Sequence, residues 1–165
     1  MRVVFLDLDG VLNDEAARAA SKTSALNGAP PRPPLQRSRV ERLQRVLDAT
    51  QARVVLVTGW RTLLPAETIN AELRNAGLQW PIAGAVGVVG NDGRMAATRA
   101  FLDANPAIRA WVVLDDDRYQ WTLPTASGRE HPEWLEGRIV HPIDGLTSED
   151  ARGAVAIIAA QMRPR

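Results

Sequence analysis

Four short stretches of the chain are almost wholly apolar and rich in β-branched residues: Val3–Leu6, Val54–Val57, Val86–Val89 and Trp111–Leu114. A weaker fifth, Arg138–Val140, follows. Such runs, with no polar alternation, predict strands covered on both faces, as in a parallel sheet. Between them the period becomes helical. Val40, Leu43, Val46 and Leu47 form one apolar stripe, and Ser38-Arg-Val-Glu41 reads as a capping box at its start. Pro65–Ala76 carries Ile69 and Leu73 on one face and stops at Gly77, a suitable residue just past a helix end. Gly93–Ala104 is closed by Asn105-Pro106, and a last helix starts near Thr147-Ser148 and runs through Val155, Ile157 and Ile158. The order β-α-β-α-β-α-β-β-α predicts a doubly wound, Rossmann-like α/β fold, a parallel sheet with helices on both faces. No internal repeat interrupts it, and residues 1–165 are expected to form a single domain.

Two segments break the pattern. Asn13–Arg37 is expected to be an irregular flap, and its Pro-rich piece, Ala29-Pro-Pro-Arg-Pro-Pro34, to be extended and stiff with no part in the core. Arg118–Gly137 is expected to be a long irregular loop near the active edge. Loops of this length inside compact domains are often functional.

Composition narrows the class. With 165 residues, 45% hydrophobic and 24% charged, the chain reads as a globular protein with one core of ordinary size. A formal net charge of +1 points neither to a nucleic-acid-coating surface nor to an acidic tail. The absence of cysteine excludes disulfides and thiolate metal sites. No apolar run approaches the ~20 residues of a membrane span, and Val3–Leu6 is too short for a signal-peptide core, so a cytoplasmic protein without a membrane partner is expected. Among 20 basic residues only Lys22 is lysine, so a role usually given to lysine must fall to it or to an arginine.

Polar residues gather where the strands end. The first run leads into Asp7-Leu-Asp9-Gly10, the second into Thr58-Gly59-Trp60-Arg61 and the fourth into Asp115-Asp116-Asp117. In open α/β sheets the ligand site lies beyond these carboxyl ends. Adjacent carboxylates repel unless a cation gathers them, and an all-oxygen donor set suits Mg²⁺. As the first strand ends, Asp9 can swing clear while Asp7 stays on the metal. Gly10 lets the backbone turn sharply beside a ligand.

Asp7-x-Asp9-Gly10-Val-Leu, Thr58 after a second strand and Asp115-Asp116 after a later one together resemble the motifs of the haloacid dehalogenase-like (HAD) hydrolase superfamily. The resemblance runs from Val3 to about Leu146. Thr58-Gly-Trp-Arg61, Leu114-Asp-Asp-Asp117 and Asp144-Gly-Leu-Thr147 look like a small branch without a cap domain, some of whose members are linked to RNA repair. The resemblance implies that Asp7 is the nucleophile, forming an aspartyl phosphate, and that Asp9 is the general acid and base. It implies that Thr58, with Gly59 beside it, binds phosphate. It further implies Mg²⁺ held by the Asp7 carboxylate, the Asp9 carbonyl, Asp115 and Asp116. The family's third motif usually supplies a lysine at the start of the helix before the fourth strand. Here Arg94 opens that helix, with Arg99 as the alternative, and Arg94 is assigned the phosphate-side role because it lies nearer the strand ends.

The loops bear on substrate. Trp60, Arg61, Arg118 and Trp121 are candidate substrate contacts, with Trp134, Arg129 and His131 close in sequence; aromatic and basic groups together can clamp a nucleotide or nucleic-acid end. The plainer reading is that the tryptophans anchor long loops, that His131 and His141 lie on the surface, and that Arg61 braces the acidic cluster. The expected function is a Mg²⁺-dependent phosphatase acting on a phosphorylated substrate, with nucleotide or nucleic-acid terminal phosphates leading. A receiver-type phospho-accepting module and a catalytically silent Mg²⁺-binding domain are the alternatives. Oligomeric state is not legible.

Overall fold

A computed structural model describes residues 1–17, 19, 34–87 and 93–163. Most of the Pro-rich flap, with Ala29–Pro33, lies outside the described residues. The central sheet is all parallel, in the order β3-β2-β1-β4-β7. Its strands are β1 (Arg2–Leu6), β2 (Arg53–Leu56), β3 (Ile82–Ala85), β4 (Ala110–Leu114) and β7 (Ile139–Val140). Helices α1 (Arg37–Thr50), α2 (Ala66–Asn75), α3 (Gly93–Ala104) and α4 (Ser148–Gln161) connect or follow them among the described residues, and residues 15–17 are also helical, within the segment expected to be irregular.

β1 sits in the middle, and Val3, Val4, Phe5 and Leu6 are all fully buried, which is why the run shows no alternation. Val4 and Leu6 face one apolar layer with Val40, Leu43 and Leu47 of α1, Ile69 and Leu73 of α2, and Ala154 and Ile158 of α4. Val3 and Phe5 face the other, with Met95 and Phe101 of α3, Trp121 and Leu135. The chain winds outward from β1 to β2 and β3, then returns to β4 on the other side of β1. That reversal makes the carboxyl ends of β1 and β4 the switch point at which open α/β sheets place their ligand sites.

Helix ends follow local chemistry in two places. Gly77 takes φ +109°, its N–H donates to Arg74 O and that of Leu78 to Leu73 O, both at 2.9 Å. These are the paired bonds of a Schellman ending. Thr147 and Asp150 form a reciprocal capping box at the start of α4.

Three expectations need correction. The Ser38–Glu41 capping box does not form: α1 starts at Arg37, and Gln36 makes no side-chain cap. Tertiary bonds set this entry instead, since Gln36 N–H donates to Leu12 O and the Gln36 side-chain amide donates to Asp14 Oδ2. The third strand is Ile82–Ala85, not Val86–Val89. It lies at the sheet edge, where Ala83 is exposed and Ile82 and Gly84 are half-buried, so pairing with Val54–Leu56 selects it without an apolar run. Val86 only extends the ladder by one bond to Leu56 O, and residues 88 and 89 lie outside the described set. Arg118–Gly137 is not irregular throughout. It holds a 3-10 turn at Arg118–Trp121 and an antiparallel hairpin of β5 (Leu123–Thr125) and β6 (Gly128–Glu130), anchored by fully buried Trp121 and Leu135.

Candidate active site

Strand pairing alone assembles the acidic centre. Leu6 and Leu114 are opposite each other in the β1–β4 ladder, so the next residues, Asp7 and Asp115, emerge side by side. Asp7 N–H extends the ladder to Leu114 O at 2.9 Å, and Asp115 N–H bonds to Val140 O at 3.2 Å. Asp7 is 1% and Asp115 0% exposed. Half-buried Asp116 joins them, with one carboxylate oxygen from each of the three within 4.8 Å of the others. From the first turn of α3, Arg94 Nη1 donates to Asp7 Oδ2 and to Asp115 Oδ2, both at 2.6 Å.

Gly10 is required where it stands. Its φ is +73°, and a Cβ there would lie 1.9 Å from Asp116 Oδ2. The turn that carries Asp9 therefore packs its backbone directly against the third carboxylate. Thr58, 2% exposed, follows β2, and its hydroxyl accepts from Trp60 N–H at 3.3 Å, capping the short 3-10 turn Gly59–Thr62. Asp9 is only half-buried, and its carboxylate lies outside the three-acid group. Its Oδ1 accepts from Asn13 Nδ2 and its Oδ2 from Trp60 Nε1, each at 2.9 Å.

A family model described as the HAD domain in Swiss Army Knife RNA repair proteins matches residues 3–151. The chain belongs to this family. No curated protein and no solved structure matches the chain. Membership brings a function of the hydrolase and phosphatase type and favours that reading over a receiver-type module.

In this HAD domain the buried acids are electrostatically loaded. Burial pushes the Asp7 carboxyl up from 3.8 to about 7, the charge of Asp115 adds to the rise, and Arg94, the Leu8 amide and the Thr58 hydroxyl oppose it. Burial likewise raises Asp115, again against Arg94. Burial alone would lower Arg94, but Asp7 and Asp115 more than offset it, so its guanidinium stays charged. The Arg94 guanidinium thus bridges the two buried carboxylates, with Asp116 beside them. Asp7 Oδ1 is buried and makes no hydrogen bond, an arrangement that needs a partner. An unpaired buried carboxylate oxygen beside two further acids fits a divalent cation bound through oxygen. Asp7, Asp115 and Asp116 are the side chains that would hold it.

The remaining sequence candidates separate. Trp60 is 7% exposed and Trp121 fully buried, so neither offers a ring face to substrate. Trp134 packs at a tilt against Trp111, ring centroids 5.6 Å apart, near the start of β4 and away from the acidic edge. Arg61 Nη1 points to Val86 O at 3.4 Å and so braces the end of β3 rather than the acids. Gly59 is exposed beside Thr58. Arg118 is exposed and borders a cleft of about 720 Å³ with Tyr119, Thr122, Arg129 and His131.

The histidines are not simple surface residues. Their rings stack with centroids 5.4 Å apart, His131 Nδ1 bonds to Trp121 O at 2.8 Å, and His141 Nδ1 bonds to the Asp115 carbonyl at 2.7 Å. His141 thereby fixes the backbone that presents Asp115. Burial lowers its pKa, with Arg118 and His131 adding to the effect. Sequence reading also passed over Asn13, fully buried, whose Oδ1 accepts from Gly10 N–H at 2.9 Å. A short polar amide three residues beyond a turn glycine is the signal that marks it.

Among the described residues, no helix is long and apolar enough to cross a membrane.

Proposed function

We propose that this HAD domain hydrolyses phosphate monoesters through a covalent aspartyl phosphate. The observation that carries the reading is the Asp7–Asp115–Asp116 group, bridged on one side by Arg94 and left with an unpaired buried oxygen on Asp7. A bound Mg²⁺ would supply charge to stabilise the phosphoryl oxygens in the transition state. Asp7 attacks phosphorus, the bond to the ester oxygen breaks, and that oxygen takes a proton from Asp9. Asp9 then removes a proton from water, which attacks phosphorus and releases phosphate and the Asp7 carboxylate. Thr58 and Arg94 bind the phosphoryl oxygens. An Asp9 carboxylate set apart from the metal group suits it to the acid–base role.

Nucleotide or nucleic-acid termini are the substrate class favoured. The family's RNA-repair description supports it, as does the cleft bordered by Arg118, where Arg129 lies 3.8 Å over the exposed Tyr119 ring. Release of p-nitrophenolate from p-nitrophenyl phosphate with Mg²⁺, abolished in Asp7→Asn, tests the chemistry. A panel of oligonucleotides with 3′ or 5′ phosphates, mononucleotides and sugar phosphates tests the substrate. Failure to release phosphate from any of them with Mg²⁺ supplied would refute the phosphatase reading.

A further inference from the structure

Both oxygens of Asp9 are held, by donors that are themselves immobilised. The Asn13 carboxamide is fully buried, and because its Oδ1 takes the Gly10 N–H, only its NH₂ can face Asp9. The Trp60 ring packs in the apolar layer with α1 and α2, and its backbone N–H is tied to Thr58. Residues from two strand ends thus orient one carboxylate. Towards Asp9 both groups are donors only, so neither can accept its proton. They fix direction without competing for what Asp9 must transfer.

We propose that Trp60, together with Asn13, is a positioning residue that aims Asp9 for proton transfer; this rests on the phosphatase reading above. The step concerned is the first one. As the Asp7–phosphorus bond forms, the bond from phosphorus to the ester oxygen breaks, its electron pair stays on that oxygen, and the Asp9 carboxyl proton moves to it. A weakly basic leaving group such as p-nitrophenolate departs with little protonation, whereas an alkoxide needs it. Poor aim at Asp9 therefore penalises alkyl phosphates selectively. A general packing defect penalises both ester types alike.

Trp60→Phe keeps a buried aromatic ring and removes the N–H. The measurement is kcat/KM with Mg²⁺ on p-nitrophenyl phosphate and on glycerol phosphate. The expected loss is about 10- to 100-fold on the alkyl ester, and less than about 3-fold on the aryl ester. Asn13→Ser addresses the other oxygen and should discriminate the esters in the same sense. The indole N–H signal missing from the ¹H–¹⁵N spectrum of Trp60→Phe should move in Asp9→Ala, independently of activity. Equal losses on both esters, no loss in either variant, or an unmoved indole signal would overturn the positioning role and leave the phosphatase reading standing. If the unmutated protein releases phosphate from neither ester nor from any substrate of the panel above, both fall together.

Discussion

Removing Arg94 should expose how strained the acidic centre is without a cation. The guanidinium makes two contacts of 2.6 Å, to carboxylates that are 2% and 0% exposed, and is itself only 17% exposed. Arg94→Ala leaves two buried, adjacent carboxylates uncompensated. Breaking a buried ion pair in this way costs about 3–5 kcal/mol. Part of that cost is relieved when a carboxyl takes up a proton, which burial already favours at Asp7 and Asp115. The full loss is therefore expected at pH 8 in chelator and less, roughly 1–2 kcal/mol, at pH 5. Urea unfolding followed by tryptophan fluorescence reads both values, and Mg²⁺ at pH 8 should restore much of the difference. Arg94→Lys, which keeps the charge but loses the fork geometry, should fall between the two proteins. An Arg94→Ala protein as stable as the unmutated one in chelator at pH 8 would refute the argument. So would an equal loss at pH 5 and pH 8.

Further outcomes follow from the same geometry. Asp7 has a higher pKa folded than unfolded, so its contribution to stability is complete below 3.8 and is lost as pH rises through about 7. Chelated protein should thus be less resistant to urea at pH 8 than at pH 5, and the Mg²⁺-induced rise in Tm should be larger at pH 8. Asp14, lowered by the Ala17 N–H and Gln36, acts oppositely and at lower pH, being lost as pH falls below 3.8. Gly10→Ala must adopt φ +73° and displace Asp116, so it should cost more than the about 1–2 kcal/mol of backbone strain alone and weaken Mg²⁺ binding, read by calorimetric titration. Gly145→Ala and Gly77→Ala separate backbone strain from crowding, because both have positive φ but only at Gly145 would the Cβ overlap the Arg39 guanidinium, at 0.9 Å from Nη1. Arg39 joins Asn13 O, Asp14 and Asp144 O, so Gly145→Ala should cost about 3–5 kcal/mol and Gly77→Ala about 1–2, measured in the same urea titration.

The sequence by itself determined the layers and the chemistry that the main chain delivers. Continuous apolar runs marked β1, β2 and β4 because those strands are covered on both faces, and acids placed just past Leu6 and Leu114 had to meet once the strands paired in parallel. Gly77 and Thr147 marked helix ends because their effect is local. The place of Arg94 near the acidic edge was legible from its position at a helix start, while its contacts with Asp7 and Asp115 required the fold. Tertiary structure alone decided which hydrogen-bonding groups meet across the chain. It turned Ser38–Glu41 away from capping because Gln36 and Arg39 are held by distant partners, Leu12 O, Asp14 and Asp144 O. It moved the third strand to Ile82–Ala85, since an edge strand is chosen by ladder register more than by hydrophobicity. It gave Trp60 to Asp9 and His141 to the Asp115 carbonyl, contacts between residues 51 and 26 positions apart. Periodicity reports which face of an element is buried; it carries no record of which donor lies opposite a given oxygen once the elements pack.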